Sequence, residues 1–246
     1  AIPPSSTSRG LGDVYKRQCN NRLECMILTS LKKTIYVDFI RHGEPEGGDI
    51  LRGRVNPKLT ELGWAQMKMS ANLTSECERT ASTPGWTEIL TSPLKRCNEF
   101  ADRLARNLDV PITIDQDWQE IDYGDWDGMP IKQWRKEAAE QFEAFSKDLS
   151  ALRPPNGEDY LSFKGRILEA FEKFSEFPDE SHILVVTHGG VLRVLIPHVL
   201  GMPLNKSGPL HIPFACYSRV KISLVNSKTN KFLIFHNKGE SLDKIG

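Results

Sequence analysis

Three short stretches place side chains capable of chemistry directly after apolar runs. Arg41-His42-Gly43 follows Ile35-Tyr36-Val37-Asp38-Phe39-Ile40, Arg96 follows Glu88–Thr91 within five residues, and His188-Gly189-Gly190 follows Ile183-Leu184-Val185-Val186-Thr187. Two guanidinium forks offer planar donor pairs to an oxyanion, and a neutral imidazole beside that oxyanion can act as a nucleophile. Arg96 is informative on physical grounds. A cation in the opening turn of a helix faces the positive end of the helix dipole, typically disfavoured by ~0.3–1 kcal/mol, and a bound anion reverses that sign. A helix starting at Gly189-Gly190 adds free N–H groups, the usual anion-binding feature of a helix N-terminus. A phosphate satisfies all of these features at once. Each piece alone has an ordinary reading, since Arg and His are common at strand edges and Arg96 could pair with a neighbouring acid. Taken together and in this order, they favour a phosphate site.

The elements that must carry these residues alternate between strand and helix. The first strand ends at Arg41. Asn56–Leu73 reads as a helix capped by Thr60, and Glu88–Thr91 as a short strand running into a helix that Ser92 caps and Pro93 opens. On that helix Leu94, Cys97, Ala101, Leu104 and Leu108 share one face. Val110–Asp115 is a third short strand, and Trp118–Pro130 is a loop dense in acids, aromatics and glycines. Pro130 opens one long helix to roughly Leu149, a second helix carries Phe163, Ile167, Phe171 and Phe174, and His182–Thr187 is a strand apolar on both faces. A helix containing Pro197 and two terminal strands complete the chain. Such alternation predicts an α/β fold, a three-layer α/β/α sandwich with a mostly parallel central sheet. Sheets of this kind bind ligands at the carboxyl ends of their strands, where both arginines and both histidines fall.

Composition narrows the function classes. The chain has 246 residues, 39% of them apolar and 26% charged, and zero formal net charge, so it shows no nucleic-acid footprint and no polybasic membrane anchor. Its most apolar window contains Arg193, two histidines and Pro197, a poor membrane span. The five cysteines, Cys19, Cys25, Cys77, Cys97 and Cys216, are odd in number and lack CxxC spacing. That composition predicts free thiols and a reducing cytoplasm. Residues 1–25 read as a disordered arm or a non-native artefact, with residues 26–246 forming a single domain. His182, His198, His211 and His236 have no metal-ligand spacing, so no metal and no cofactor are expected.

The segments RHGE (41–44), NPKLTELGWAQM (56–67), LTSPLKRC (90–97), EIDYGDWDG (120–128) and VVTHGGVLR (185–193), in this order, resemble the histidine phosphatase superfamily with its phosphoglycerate mutase-like fold. The resemblance runs from about Thr34 to Lys221. It implies that His42 is the nucleophile and becomes phosphohistidine, and that Arg41, Arg96 and His188, with Gly189, bind the phosphoryl group. It also implies that Glu120 is the proton donor. The residues alone leave Asp122, Asp125 and Asp127 as rivals to Glu120. The Gly-Gly after His188 disfavours the acid-phosphatase and phytase branch. Pro45 and the short segment 46–53 depart from the common pattern and leave the substrate contacts of Glu44 and Arg52 as expectations. The short loop, GWAQM and PPNGEDY (154–160) are similar to bacterial α-ribazole-5'-phosphate phosphatases of cobalamin biosynthesis. The expected partner is therefore a small-molecule phosphate ester, with no nucleic acid and no membrane, and the oligomeric state is left open. Trp118, Tyr123 and Trp126 are candidates either for an aromatic leaving-group pocket or for core packing. Alternatives are a phosphoglycerate-type mutase, a broad-specificity sugar phosphatase and an inactive relative that binds phosphorylated ligands.

Overall fold

The computed structural model describes residues 32–226 and 228–238, so the expected N-terminal arm lies outside the described residues. In chain order the elements are β1 (Lys32–Arg41), α1 (Glu61–Ser70), β2 (Glu88–Thr91), α2 (Lys95–Leu108), β3 (Ile112–Ile114), α3 (Ile131–Glu137), α4 (Ala139–Lys147), α5 (Tyr160–Glu172), β4 (His182–Thr187), α6 (Gly189–Leu200), β5 (Tyr217–Val225) and β6 (Lys228–Phe235). They form a six-stranded sheet of order β3-β2-β4-β1-β5-β6. The β3/β2, β2/β4 and β4/β1 pairs are parallel, while β1/β5 and β5/β6 are antiparallel. The expected α/β sandwich is present, with the antiparallel pair confined to one side.

Register places the site. Arg41 lies opposite Thr187, and Thr91 lies opposite Val186, so β1, β2 and β4 end level at one rim. Period-two alternation sends Val37, Phe39, Ile183 and Val185 into one core with Phe163, Ile167 and Phe171 of α5 and Leu192 and Leu195 of α6. It sends Ile40, Leu184 and Val186 into a second core with Met67 of α1 and Phe100 and Leu104 of α2. Burying a side chain of this size stabilises by ~1.5–3 kcal/mol, so two packed faces hold the strand ends rigidly. No helix among the described residues is long and apolar enough to cross a membrane.

Two local expectations are corrected. The helix expected from Pro130 to about Leu149 is two helices broken at Ala138 (φ −112°, ψ 39°). The cause is packing around buried Trp134, whose ring meets Phe142 at 5.4 Å and Phe145 at 6.3 Å. A straight helix would separate Trp134 from Phe142 by ~12 Å of rise; the break folds Phe142 and Phe145 back. Ser92 is not the N-cap of α2. That position is Leu94, which makes no side-chain cap, and Ser92 turns toward the site. Thr60 does cap α1, accepting from Gly63 N at 3.0 Å.

Candidate active site

His42 stands one residue beyond β1, fixed by its own backbone. Its N–H donates to Thr187 O at 2.9 Å and its carbonyl accepts from Ala215 N at 3.1 Å. The ring Nδ1 lies 2.7 Å from Gly43 O. A carbonyl only accepts, so Nδ1 carries the proton and Nε2 keeps its lone pair. Gly43 is required there because a Cβ would stand 2.1 Å from Gly63 O, so the first turn of α1 presses directly on the residue after His42. Burial first, then the charges of Arg96 and Arg41, hold the His42 imidazole well below its ordinary range, so it is neutral at neutral pH.

His188 packs edge-on to His42 with ring centroids 5.3 Å apart. Its Nδ1 accepts from Arg96 Nε at 3.3 Å, which puts its proton on Nε2, donating to Ser92 Oγ at 2.8 Å. Burial, and then Arg96, push this imidazole well below its usual range also. Arg96 is fully buried. It donates to Val55 O at 2.8 Å, Gly53 O at 2.9 Å and Arg52 O at 3.3 Å. Those carbonyls offset the unfavourable helix dipole, and among the described residues they leave one Nη1 N–H for a ligand. Arg41 donates to Ile212 O at 2.6 Å and stacks over Phe214, 4.3 Å from the ring centroid. Cys97 approaches His188 at 3.6 Å, but burial pushes its thiol up to about 12, which keeps it protonated.

The loop acids, equivalent on the page of the sequence, have separate tasks in space. Glu120 Oε2 accepts from Gly190 N at 3.0 Å and its Oε1 accepts from Ile121 N at 3.0 Å, which places this carboxylate at the N-terminus of α6. Asp122 accepts from Gly124 N at 2.8 Å, and Asp125 from Asn156 Nδ2 at 3.0 Å. Asp127 gathers the N–H groups of Gly53, Arg54 and Val55 at 2.6–2.8 Å, shaping the loop whose carbonyls hold Arg96. Gly190 accommodates Glu120, since a Cβ there would meet Oε1 at 2.1 Å.

Beside this cluster lies a cavity of about 220 Å³, lined at its near end by Arg41, Glu120, Gly189 and Gly190. Tyr123, Tyr160, Phe163 and Arg193 also line it, as do Phe145 and Leu149. Tyr123 therefore faces the cavity. Trp118 stacks on Phe174 at 5.7 Å and Trp126 packs on Trp134 at 5.8 Å, which is core packing. Arg52 donates to the carbonyls of Glu46 and Gly48 and so ties its own loop together. Glu44 is held by its backbone, with its N–H on Gln66 Oε1 at 2.8 Å. Neither is among the cavity-lining residues. No cluster of three potential metal-binding side chains occurs among the described residues.

Sequence reasoning missed Arg166. It binds the carbonyls of Asp117, Gln119 and Glu120 at 2.7–3.1 Å and pairs with both oxygens of Glu158. An arginine on an amphipathic helix gives no signal of such a role. Arg193 could have been found, because four residues after Gly189 is one turn along the same helical face.

The chain is 28% identical over 186 residues to the adenosylcobalamin/α-ribazole phosphatase of Escherichia coli K12, covering 75% of this chain and 88% of that one. It is 28% identical over 167 residues to the uncharacterized phosphatase PhoE of Bacillus subtilis, covering 67% and 77%. The crystal structure of the α-ribazole phosphatase from Shigella flexneri superposes with a TM-score of 0.68 at 25% identity, covering 85% of this chain and 99% of that one. Residues 37–230, from within β1 into β6, match the sequence profile of the histidine phosphatase superfamily (branch 1), and the chain belongs to that superfamily.

Proposed function

We propose that this phosphatase hydrolyses a small-molecule phosphate ester through a phosphohistidine at His42, without a metal, and that its substrate is α-ribazole 5'-phosphate. One observation carries the mechanism: the bond from His42 Nδ1–H to Gly43 O leaves the Nε2 lone pair free, on a ring kept neutral by burial and by the charges of Arg96 and Arg41. Nε2 attacks phosphorus, and the P–O bond to the alcohol breaks. Arg41, Arg96 and the Gly189 N–H, which as the first helical residue has no intrahelical acceptor, hold the phosphoryl oxygens. His188 joins them when its Nε2–H exchanges Ser92 for a phosphoryl oxygen. Glu120 enters the cycle as the protonated acid, gives that proton to the departing alkoxide, and regains one from the water that attacks phosphorus and breaks the P–N bond. Phosphate leaves and His42 is neutral again. Electrostatic stabilisation by such fixed donors is usually the largest catalytic contribution.

The substrate is supported by similarity to the adenosylcobalamin/α-ribazole phosphatases of Escherichia coli and Salmonella typhimurium and by a cavity with several aromatic rings in its lining. The described cysteines Cys77, Cys97 and Cys216 are buried and unpaired, which suits a reducing cytoplasm. The test is phosphate release from α-ribazole 5'-phosphate, aryl phosphates and sugar phosphates, in chelator, with His42→Ala alongside. We expect the riboside to lead by at least ~100-fold in kcat/KM and the variant to be inactive. Uniformly slow, His42-dependent rates would keep the mechanism and remove the substrate.

A further inference from the structure

The phosphate chemistry uses only the near end of the cavity. Farther in, Arg193 sits four residues after Gly189 on α6, about 6 Å along the same helical face. Its Nη1 makes a long 3.3 Å bond to Ser207 O, and no Asp or Glu among the described residues forms an ion pair with it. Tyr160, which opens α5, is 4% exposed and lines the same cavity. Its hydroxyl is buried with no hydrogen-bond partner, an arrangement that is costly unless a ligand supplies an acceptor. Arg193 and Tyr160 line the same cavity, so the two donors border one space. Burial keeps the phenol protonated and therefore a donor. Tyr123 and Phe163 add apolar ring surface to the lining of the same cavity.

We infer that Arg193 and Tyr160 together read a hydrogen-bond acceptor on the alcohol half of the ester, roughly one helical turn from the phosphate. The site then selects leaving groups that join a flat apolar ring to such an acceptor, and rejects pure hydrocarbons of the same shape. Rejection follows because a hydrocarbon would leave two desolvated donors unpaired. This specificity rests on the proposed phosphatase site but does not depend on the riboside. A ribosyl hydroxyl or the unsubstituted ring nitrogen of a benzimidazole would each serve as the acceptor.

The experiment compares naphthylmethyl phosphate with the isomeric quinolinylmethyl phosphates, in which one ring CH becomes an acceptor nitrogen. The wild-type chain should prefer at least one quinoline isomer by ~10-fold or more in kcat/KM. Tyr160→Phe and Arg193→Met, which keep most of the side-chain bulk, should each pull that ratio toward one. A wild-type ratio within about two-fold for every isomer, or variants that slow both esters equally, overturns the assignment and leaves Arg193 as a brace for the Ser207 loop. The wild-type comparison needs no variant to fold. Failure to release phosphate from any ester would instead remove the hydrolytic reading itself.

Discussion

His42 is prepared by two things that act on different atoms. Gly43 O fixes which nitrogen holds the proton, while burial and the charges of Arg96 and Arg41 keep the second proton off. The ring resonances of His42 in the free protein should therefore show no protonation between pH 8 and 6, whereas an unperturbed imidazole titrates near ~6.5. Titration near that value by NMR would remove the electrostatic account. The sign for stability follows: the native pKa is depressed, so below ~6.5 the unfolded chain takes up protons that native His42 and His188 refuse, and stability falls with pH. Glu120→Gln should lower turnover of alkyl phosphates by ~10²–10⁴-fold. Esters of acidic phenols, whose anions leave without a proton, should be much less affected. Equal losses on both would deny Glu120 the role of proton donor. Arg41, His42 and His188 stand out in the sequence because they sit where an apolar strand ends, and Arg96 because it is a cation in the opening turn of a helix. Glu120 was not separable from Asp122, Asp125 and Asp127 by spacing, since only the path of the loop decides which one meets Gly190 N.

At the scale of elements, α6 brings Gly189, Gly190 and Arg193 to one cavity within its first two turns, with the Gly190 N–H on Glu120. Gly190→Ala must displace the carboxylate, because the new Cβ would sit 2.1 Å from Oε1. A misplacement on the order of 1 Å costs ~10²-fold, so this variant should show the leaving-group dependence of Glu120→Gln at a smaller amplitude, read from a series of phenyl and alkyl phosphates. An unchanged series would mean that the acid does not lean on α6. Helix and strand identities were legible from periodicity, as with Thr60 capping α1 and the apolar run of β4. The break at Ala138 was not, because no Gly or Pro marks it and its cause is the distant ring of Trp134. The role of Ser92 was hidden for a similar reason. A serine before a helix reads as a cap until His188, between β4 and α6, is placed against it.

For the whole molecule, the buried charge that matters most lies away from the site. Asp38, in the middle of β1, has no exposed surface, and accepts from Trp86, His182, Tyr217 and Arg219 at 2.5–2.9 Å, tying β1 to β4 and β5. Burial works to raise its carboxyl, but the bonds from His182 and Arg219 outweigh it and hold the pKa below the usual range. The native value is depressed, so this stabilisation is present above ~3.9 and is lost as pH falls through the lower folded value. Asp38→Asn breaks a buried ion pair and should cost ~3–5 kcal/mol, lowering Tm by roughly 10 °C or more. A shift within about 2 °C in thermal denaturation would show the network to be dispensable. The three-layer plan was legible from alternation of strands and helices. The buried network was not, because one acid inside an apolar run looks like an interruption until its partners converge from β4, β5 and the segment before β2.

The most direct measurement is capture of the covalent intermediate. Protein mixed with substrate, quenched in alkali to preserve a phosphorus–nitrogen bond and digested for mass spectrometry, should carry one phosphate on the peptide containing His42. The adduct should be acid-labile and absent from His42→Ala. Phosphate on another residue, or single-step hydrolysis that inverts configuration at phosphorus with no adduct, would contradict the account.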